Sequence, residues 1–173
     1  MLTYIESRNC MKKILDKHRK DIDGIVHCSG GGQTKCLKYL PGPMKIVKDN
    51  LFTPPIIFDL IKDASGADAR EMYQVFNMGT RLEIYTNEKD ADTLINISKS
   101  FGVDAQVIGR VEASEKKELV IKLKDEELMF WFNNFLRLRI VSEIQRHQRF
   151  KSSAGRQRIE AGVAVGNEGV ARV

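Results

Sequence analysis

Proline and cysteine are scarce in this chain, with four and three in 173 residues. So few prolines, beside 42% hydrophobic residues, exclude wholesale disorder. Cys10, Cys28 and Cys36 are odd in number and lack zinc-ligand spacing. A disulfide-stapled secreted scaffold is therefore excluded, and free thiols in a reducing compartment are expected. No apolar run approaches the roughly 20 residues that a membrane-spanning helix needs. The start, Met1 to Arg8, sets no apolar block behind a basic segment, so no secretory or transit signal is read and a soluble, cytoplasmic protein is expected. Neither charge sign dominates: 28 Lys and Arg against 23 Asp and Glu leave +5, scattered along the chain. Without a basic stripe interleaved with aromatics, neither nucleic acid nor a membrane is an expected partner, whereas a small anionic ligand fits. The histidines His18, His27 and His147 join no cysteine or carboxylate at ligand spacing, so no metal site is expected within the chain.

What is present suits one domain, or a domain with a tail, since a chain this long buries about 68–70% of its unfolded surface without staples. Tyr4 to Lys20 reads as an amphipathic helix and Gly24 to Ser29 as a buried strand running into three glycines. A helix over Gln33 to Tyr39, a turn at Pro41 to Pro43 and a strand over Met44 to Val47 follow. Pro54-Pro55 opens a helix over Ile56 to Lys62. Asp68 and Glu71 form a capping box for a short helix that Asn77 to Gly79 ends. Leu82, Ile84 and Thr86 alternate with Glu83 and Tyr85 as a strand, Glu88 to Phe101 is helical, and Ala105 to Val111 is a strand, a unit long enough for a parallel crossover. Leu119 to Leu123, after a turn over Ser114 to Lys117, adds a partner strand beside it. The class is α+β, layered, with a mixed sheet flanked by helices.

Basic residues change type near Lys124: residues 1–124 hold 15 Lys and 5 Arg, residues 125–173 hold 1 Lys and 7 Arg. A boundary is expected there, dividing a domain over 1–124 from an Arg-rich tail over 125–173. Leu128, Trp131, Phe132, Phe135, Leu138 and Val141 share a helical face, and the last twenty or so residues read as loose.

The sharpest chemical feature is Gly30-Gly31-Gly32, between the strand ending at Ser29 and the next helix. Glycine permits positive φ and close backbone approach, so successive amides can curl around an anion while a helix aims its positive end at the same point. Thr34 offers a hydroxyl, and Lys35 or Lys38 a charge. A plain strand-to-helix turn explains the triplet as well. The Walker and Gly-x-Gly-x-x-Gly patterns are both missing. His27, two residues from Ser29, suits an acid, a base or a phosphate donor, and equally a structural strand residue. Asn77 and Gly79 make a second polar break whose side-chain amide and backbone could meet a ligand, although any such turn favours Asn and Gly.

Taken in order, Gly24-Ile-Val-His-Cys-Ser-Gly-Gly-Gly32, Leu37 to Pro41, Phe52-Thr-Pro-Pro-Ile-Ile-Phe58, Glu71-Met-Tyr-Gln-Val-Phe-Asn-Met-Gly79, Asp90-Ala-Asp92 and Val107 to Val111 resemble the C-terminal domain of phosphoribosylformylglycinamidine cyclo-ligase, the aminoimidazole ribonucleotide synthetase family, over roughly residues 3–123. The resemblance implies an ATP-dependent ring closure in purine synthesis. A formyl oxygen of formylglycinamidine ribonucleotide is activated by phosphoryl transfer and displaced by an amine nitrogen. It implies ATP and Mg held mainly by an N-terminal domain, a homodimer in the complete enzyme, and a chain that is a fragment, split subunit or truncated form unable to turn over alone. His27 and Gly30 to Gly32 fall on the family's His-x-Thr/Ser-Gly-Gly-Gly motif, and Asn77 and Gly79 on its Phe-Asn-x-Gly motif, which makes His27 and Asn77 the catalytic candidates and Gly30, Gly31, Gly32 and Gly79, with Thr34 and Lys35 from the loop itself, the candidates for binding substrate and phosphate. Lys35-Cys36 replaces a more usual Glu-Asn, and Arg81 stands where glycine often does. Selenophosphate synthetase, thiamine-monophosphate kinase, a hydrogenase maturation factor and formylglycinamidine ribonucleotide synthetase have related domains, so those reactions, or a non-enzymatic interaction module, are the alternatives.

Overall fold

The computed structural model describes residues 4–131 and 161–166. Helices α1 (Tyr4–His18), α2 (Ile56–Ser65), α3 (Ala69–Val75) and α4 (Glu88–Ser100) flank one seven-stranded sheet. Its strands are β1 (Ile22–His27), β2 (Met44–Lys48), β3 (Thr80–Thr86), β4 (Ala105–Ala113), β5 (Glu118–Lys122), β6 (Glu127–Trp131) and β7 (Ala161–Gly166), in spatial order β1-β3-β7-β4-β2-β5-β6. All neighbours are antiparallel except β2 and β5, which makes the sheet mixed, as expected.

Local chemistry explains most element ends. Asp68 Oδ1 accepts from the Glu71 amide at 2.7 Å, the capping bond that its spacing predicts. Gly66, at φ 71°, closes α2 by donating its amide to the Lys62 carbonyl at 2.9 Å. The expected helix after the glycines is a 3-10 helix over Gly32–Lys38. Within it the Gln33 carbonyl accepts from Lys48 Nζ at 2.9 Å and from Cys36 Sγ at 3.3 Å.

Helices cover both faces of the central strands. On one face α1 and α4 bury Cys10, Ile14, Leu94 and Val103 against Ile84. Full burial of an aliphatic side chain such as Ile14 or Leu94 contributes about 1.5–3 kcal/mol. On the other face the 3-10 helix and α3 bring Cys36, Leu37, Met72 and Tyr73 onto Val26, Cys28, Leu119 and Phe130. All three cysteines are free and buried. Because β3 is covered twice, the carboxylate in the polar half of its alternation does not meet water: Glu83 is 2% exposed.

Five expectations need correction. The helical face begun at Leu128 and Trp131 is, up to Trp131, strand β6, paired with β5 in the register Ile121↔Leu128 and Leu119↔Phe130. Lys124-Asp125 is the tip of that hairpin, closed by Leu123 N–H on Glu126 O at 2.8 Å, so the expected boundary falls inside the sheet. The parallel relation of β3 and β4 holds, but β7 lies between them, antiparallel to both. Part of the expected loose end is therefore a central strand: two parallel strands with facing open ladders bond all their inner amides once a third runs between them. Finally, β5 pairs with β2 rather than with β4. Phe132, Phe135, Leu138 and Val141, and the remainder of the tail, lie outside the described residues.

Gly109 shows how tightly the ladder closes. In β4 opposite Lys48, beside an irregularity toward β7, a Cβ here would overlap the Val47 carbonyl and approach Lys48 Cα to 2.9 Å. A Cβ on Gly24 would meet only Tyr85, at 3.8 Å. Gly109→Ala is expected to cost more than about 3 kcal/mol and lower Tm by about 6–12 °C, against less than about 0.5 kcal/mol for Gly24→Ala. Thermal and urea denaturation of the two variants measure this.

Candidate functional site

The glycine triplet leaves β1 at the end of the sheet where β3 begins. Gly31 and Gly32 have φ of 99° and 48°. A Cβ on Gly32 would overlap the Phe76 carbonyl and come within 2.8 Å of the Tyr73 carbonyl, so only glycine lets the loop rest on the end of α3. Around Gly30 there is open space. The Gly32 amide donates to Ser29 O at 2.9 Å and the Thr34 amide to Gly31 O at 3.0 Å. The Gly30 and Gly31 amides have no hydrogen-bond acceptor among the described residues. An anion would therefore meet two free amides, not three. The positive end of a seven-residue 3-10 helix adds less than the α-helix that the sequence suggests.

The flanking side chains are committed in different ways. Thr34 Oγ1 donates to Gly31 O at 2.9 Å and is spent within the loop. Lys35 Nζ donates to Ser29 Oγ at 2.6 Å, folding its charge back over the glycines. His27 is exposed at the end of β1 opposite Leu82. Strand alternation sends it to the α1 and α4 face, away from Val26 and Cys28, which lie beneath the loop. The structure thus places His27 at the same end of the sheet as the glycines, and on the other face.

The Asn77 turn is brought to the loop directly. Gln33 Nε2 donates to Asn77 O at 2.6 Å, and Asn77 Oδ1 accepts from the Gly79 amide at 3.0 Å. Met78 and Gly79 both have positive φ, 48° and 91°, and Thr80 N–H closes the turn on Asn77 O at 2.9 Å. A buried methionine in the left-handed region costs about 1–2 kcal/mol, which the surrounding packing must offset. A Cβ on Gly79 would reach 2.9 Å from Pro55 Cδ, so the Thr53-Pro-Pro55 segment forms the next wall. Arg81 is half-buried and by alternation faces the loop side; its carbonyl accepts from the Cys28 amide at 2.9 Å.

Sequence reasoning missed the group beneath both loops. Lys48, Gln33 and Glu83 are 1%, 0% and 2% exposed. Lys48 Nζ donates to Glu83 Oε1 at 2.6 Å and to Gln33 Oε1 at 2.9 Å. Glu83 also accepts from Tyr85 Oη at 2.7 Å and from Cys28 Sγ at 3.0 Å. Burial alone would lower the affinity of Lys48 for its proton, but the anionic character of Cys36, Glu83 and Cys28 outweighs it, and the net direction is up. At neutral pH Glu83 carries that effect, because desolvation first, and the Glu83 carboxylate after it, hold the Cys28 thiol protonated. Desolvation likewise pushes Cys36 up to about 11 and Tyr85 well above its usual range. The signal in the sequence was a lysine and a glutamate within two apolar strands, legible as buried only once the second face is known to be covered.

Residues 5–122 match the family profile described as AIR synthase related protein, C-terminal domain. The chain belongs to this family. Among curated relatives it is similar to the phosphoribosylformylglycinamidine cyclo-ligases of Methanocaldococcus jannaschii, 34% identical over 133 residues (71% of this chain, 38% of the relative), and Methanococcus vannielii, 32% over 128 residues (73% and 36%). That of Methanopyrus kandleri is 31% identical over 109 residues, covering 62% of this chain and 30% of the relative. The chain thus spans about a third of the length of the curated relatives it matches. For an AIR synthase C-terminal domain, β6 and β7 are the strands beyond the matched stretch.

Two outcomes test this geometry. Gly32→Ala is expected to destabilise by about 2–4 kcal/mol, whereas Gly30→Ala stays within about 0.5 kcal/mol, as read by urea unfolding. Cys10, Cys28, Cys36, Lys48 and Tyr85 bind their protons more tightly folded than unfolded, so their contribution to stability falls as pH rises. For Cys36, whose value moves from 9.0 to about 11, the contribution is complete below pH 9 and lost between pH 9 and 11. Cys36→Ala is expected to remove a decline of about 2–3 kcal/mol across that window in pH-dependent urea denaturation.

Proposed function

We propose that this chain is the substrate-side domain of a phosphoribosylformylglycinamidine cyclo-ligase, acting in purine biosynthesis. The observation that carries the reading is the junction of the two motifs: Gln33 Nε2 on Asn77 O at 2.6 Å joins the glycine loop to the Phe-Asn-Met-Gly turn at one rim of the sheet. The free amides of Gly30 and Gly31, the Lys35 ammonium and the Arg81 guanidinium give that rim donors for a phosphorylated ligand. Phosphoryl transfer depends chiefly on positioned donors and charge stabilisation rather than on a protein nucleophile, which suits a site built from backbone.

In the reaction the formyl oxygen of formylglycinamidine ribonucleotide takes the γ-phosphoryl group of ATP, releasing ADP. The amine nitrogen then attacks the activated carbon, the ring closes, and the oxygen leaves with phosphate. Asn77 and the glycine amides hold the developing anion, and Gly79 lets the turn pass close to Pro55. His27, exposed on the opposite face, reaches a ligand only if that ligand spans the end of the sheet, and on this reading it donates a proton there. ATP and Mg belong mainly to a preceding domain. Among the described residues no group of three or more His, Cys, Asp or Glu side chains is arranged to hold a metal. Beside the site α2 presents Ile56, Ile57 and Leu60, exposed by 73%, 52% and 57%, a surface suited to that domain. No helix among the described residues is long and apolar enough to cross a membrane.

The test is complementation. The chain alone is expected to show no ATP-dependent conversion of formylglycinamidine ribonucleotide, and to acquire it when the N-terminal half of a cyclo-ligase relative is added. Asn77→Ala is expected to lower the recovered kcat by about 10²-fold and His27→Ala by about 10²–10⁴-fold. Turnover by the chain alone, or an Asn77→Ala rate equal to wild type, would sink the assignment.

A further inference from the structure

Lys48 ends β2 with its ammonium sealed beneath the loop-bearing face of the sheet. A charge so placed costs several kcal/mol unless its protons are all taken. Here they point to Glu83 Oε1 at 2.6 Å, Gln33 Oε1 at 2.9 Å and the Gln33 carbonyl at 2.9 Å. Binding Oε1 leaves the Gln33 carboxamide one orientation, with its NH₂ group toward Asn77 O, where it donates at 2.6 Å. The Gln33 carbonyl is the first after the glycine triplet, so one cation grips the loop through its backbone and the turn through a side chain. Glu83 extends the grip to Cys28, which precedes the loop. An apolar pair of equal volume would fill this space as well, and is often as stable, yet could not orient the carboxamide.

We propose that Lys48 is a positioning residue whose ammonium, acting through Gln33, locks the glycine loop to the Asn77 turn and so sets the spacing between the two halves of the anion site. What the halves bind rests on the ring-closure reading; the lock itself does not.

Amide hydrogen exchange of the full chain, followed by NMR, tests the lock. The reporters are the amides of Gly32, Thr34, Gly79 and Thr80, bonded to Ser29 O, Gly31 O, Asn77 Oδ1 and Asn77 O. In Lys48→Met/Glu83→Leu, which leaves no buried charge alone, exchange at these four is expected to accelerate at least tenfold while the interiors of β3 and β4 keep wild-type protection. Unchanged reporters, or an equal acceleration throughout the sheet, would show that Lys48 only fills the core and would overturn the proposal. Should that variant not fold, Gln33→Leu keeps the Lys48–Glu83 pair and cuts the link to Asn77. Gly79 and Thr80 are then expected to exchange at least tenfold faster with Gly32 nearly unchanged, and wild-type exchange at Gly79 and Thr80 would overturn the lock. No ligand enters either measurement, so its result is separate from the complementation assay.

Discussion

An ammonium buried against a carboxylate has to be satisfied completely or it unfolds its surroundings, and that demand at Lys48 organises the end of this sheet. Glu83 neutralises the charge, and Gln33 takes the remaining protons with its carbonyl and its side chain. The cost of desolvating the pair is offset by short hydrogen bonds in a low-dielectric interior, where an unmade bond is expensive. The result is directional in a way that hydrophobic packing is not. Cys36 and Leu37 fill space beneath the 3-10 helix, but the polar group decides which way Gln33 turns.

The sheet supplies the rigid frame for this arrangement. Strand β7 bonds on one side to β3 and on the other to β4, so the strand that bears Glu83 is tied across the sheet to the β4 and β2 pair that bears Lys48. Gly109 permits the close approach of β4 to β2 at Lys48 itself. Helices on both faces then exclude water from Glu83, which turns a residue of ordinary surface type into part of an internal network.

The site lies at an open rim. His27, Ser29 and Gly30 are exposed, and the apolar residues of α2 stand alongside. A phosphorylated ligand bound to such an edge remains in water until a second body covers it, and only then do the backbone donors act at full strength. This accords with a chain spanning about a third of its relatives' length.

Read as a string of residues, the chain determines much of its own local structure. The alternation around Leu82 to Thr86, the Asp68 capping bond, the left-handed Gly66 and the order of motifs from Gly24 to Gly79 all follow from interactions within a few residues, or from the resemblance those motifs carry. The glycine triplet and the Asn77 turn were legible as candidates for the same reason. Their junction was not, because Gln33, Lys48, Asn77 and Glu83 are far apart in sequence and meet only when β2 and β3 share a covered face. Composition misled at Lys124, where a change from lysine to arginine marks a hairpin tip, and at Ala161–Gly166, where small residues that look like a loose end complete the centre of the sheet. Strand pairing over long separations, and the side of the sheet to which His27 turns, depend on which backbone ladders remain open and which face is dry. Only the assembled tertiary structure decides those two things.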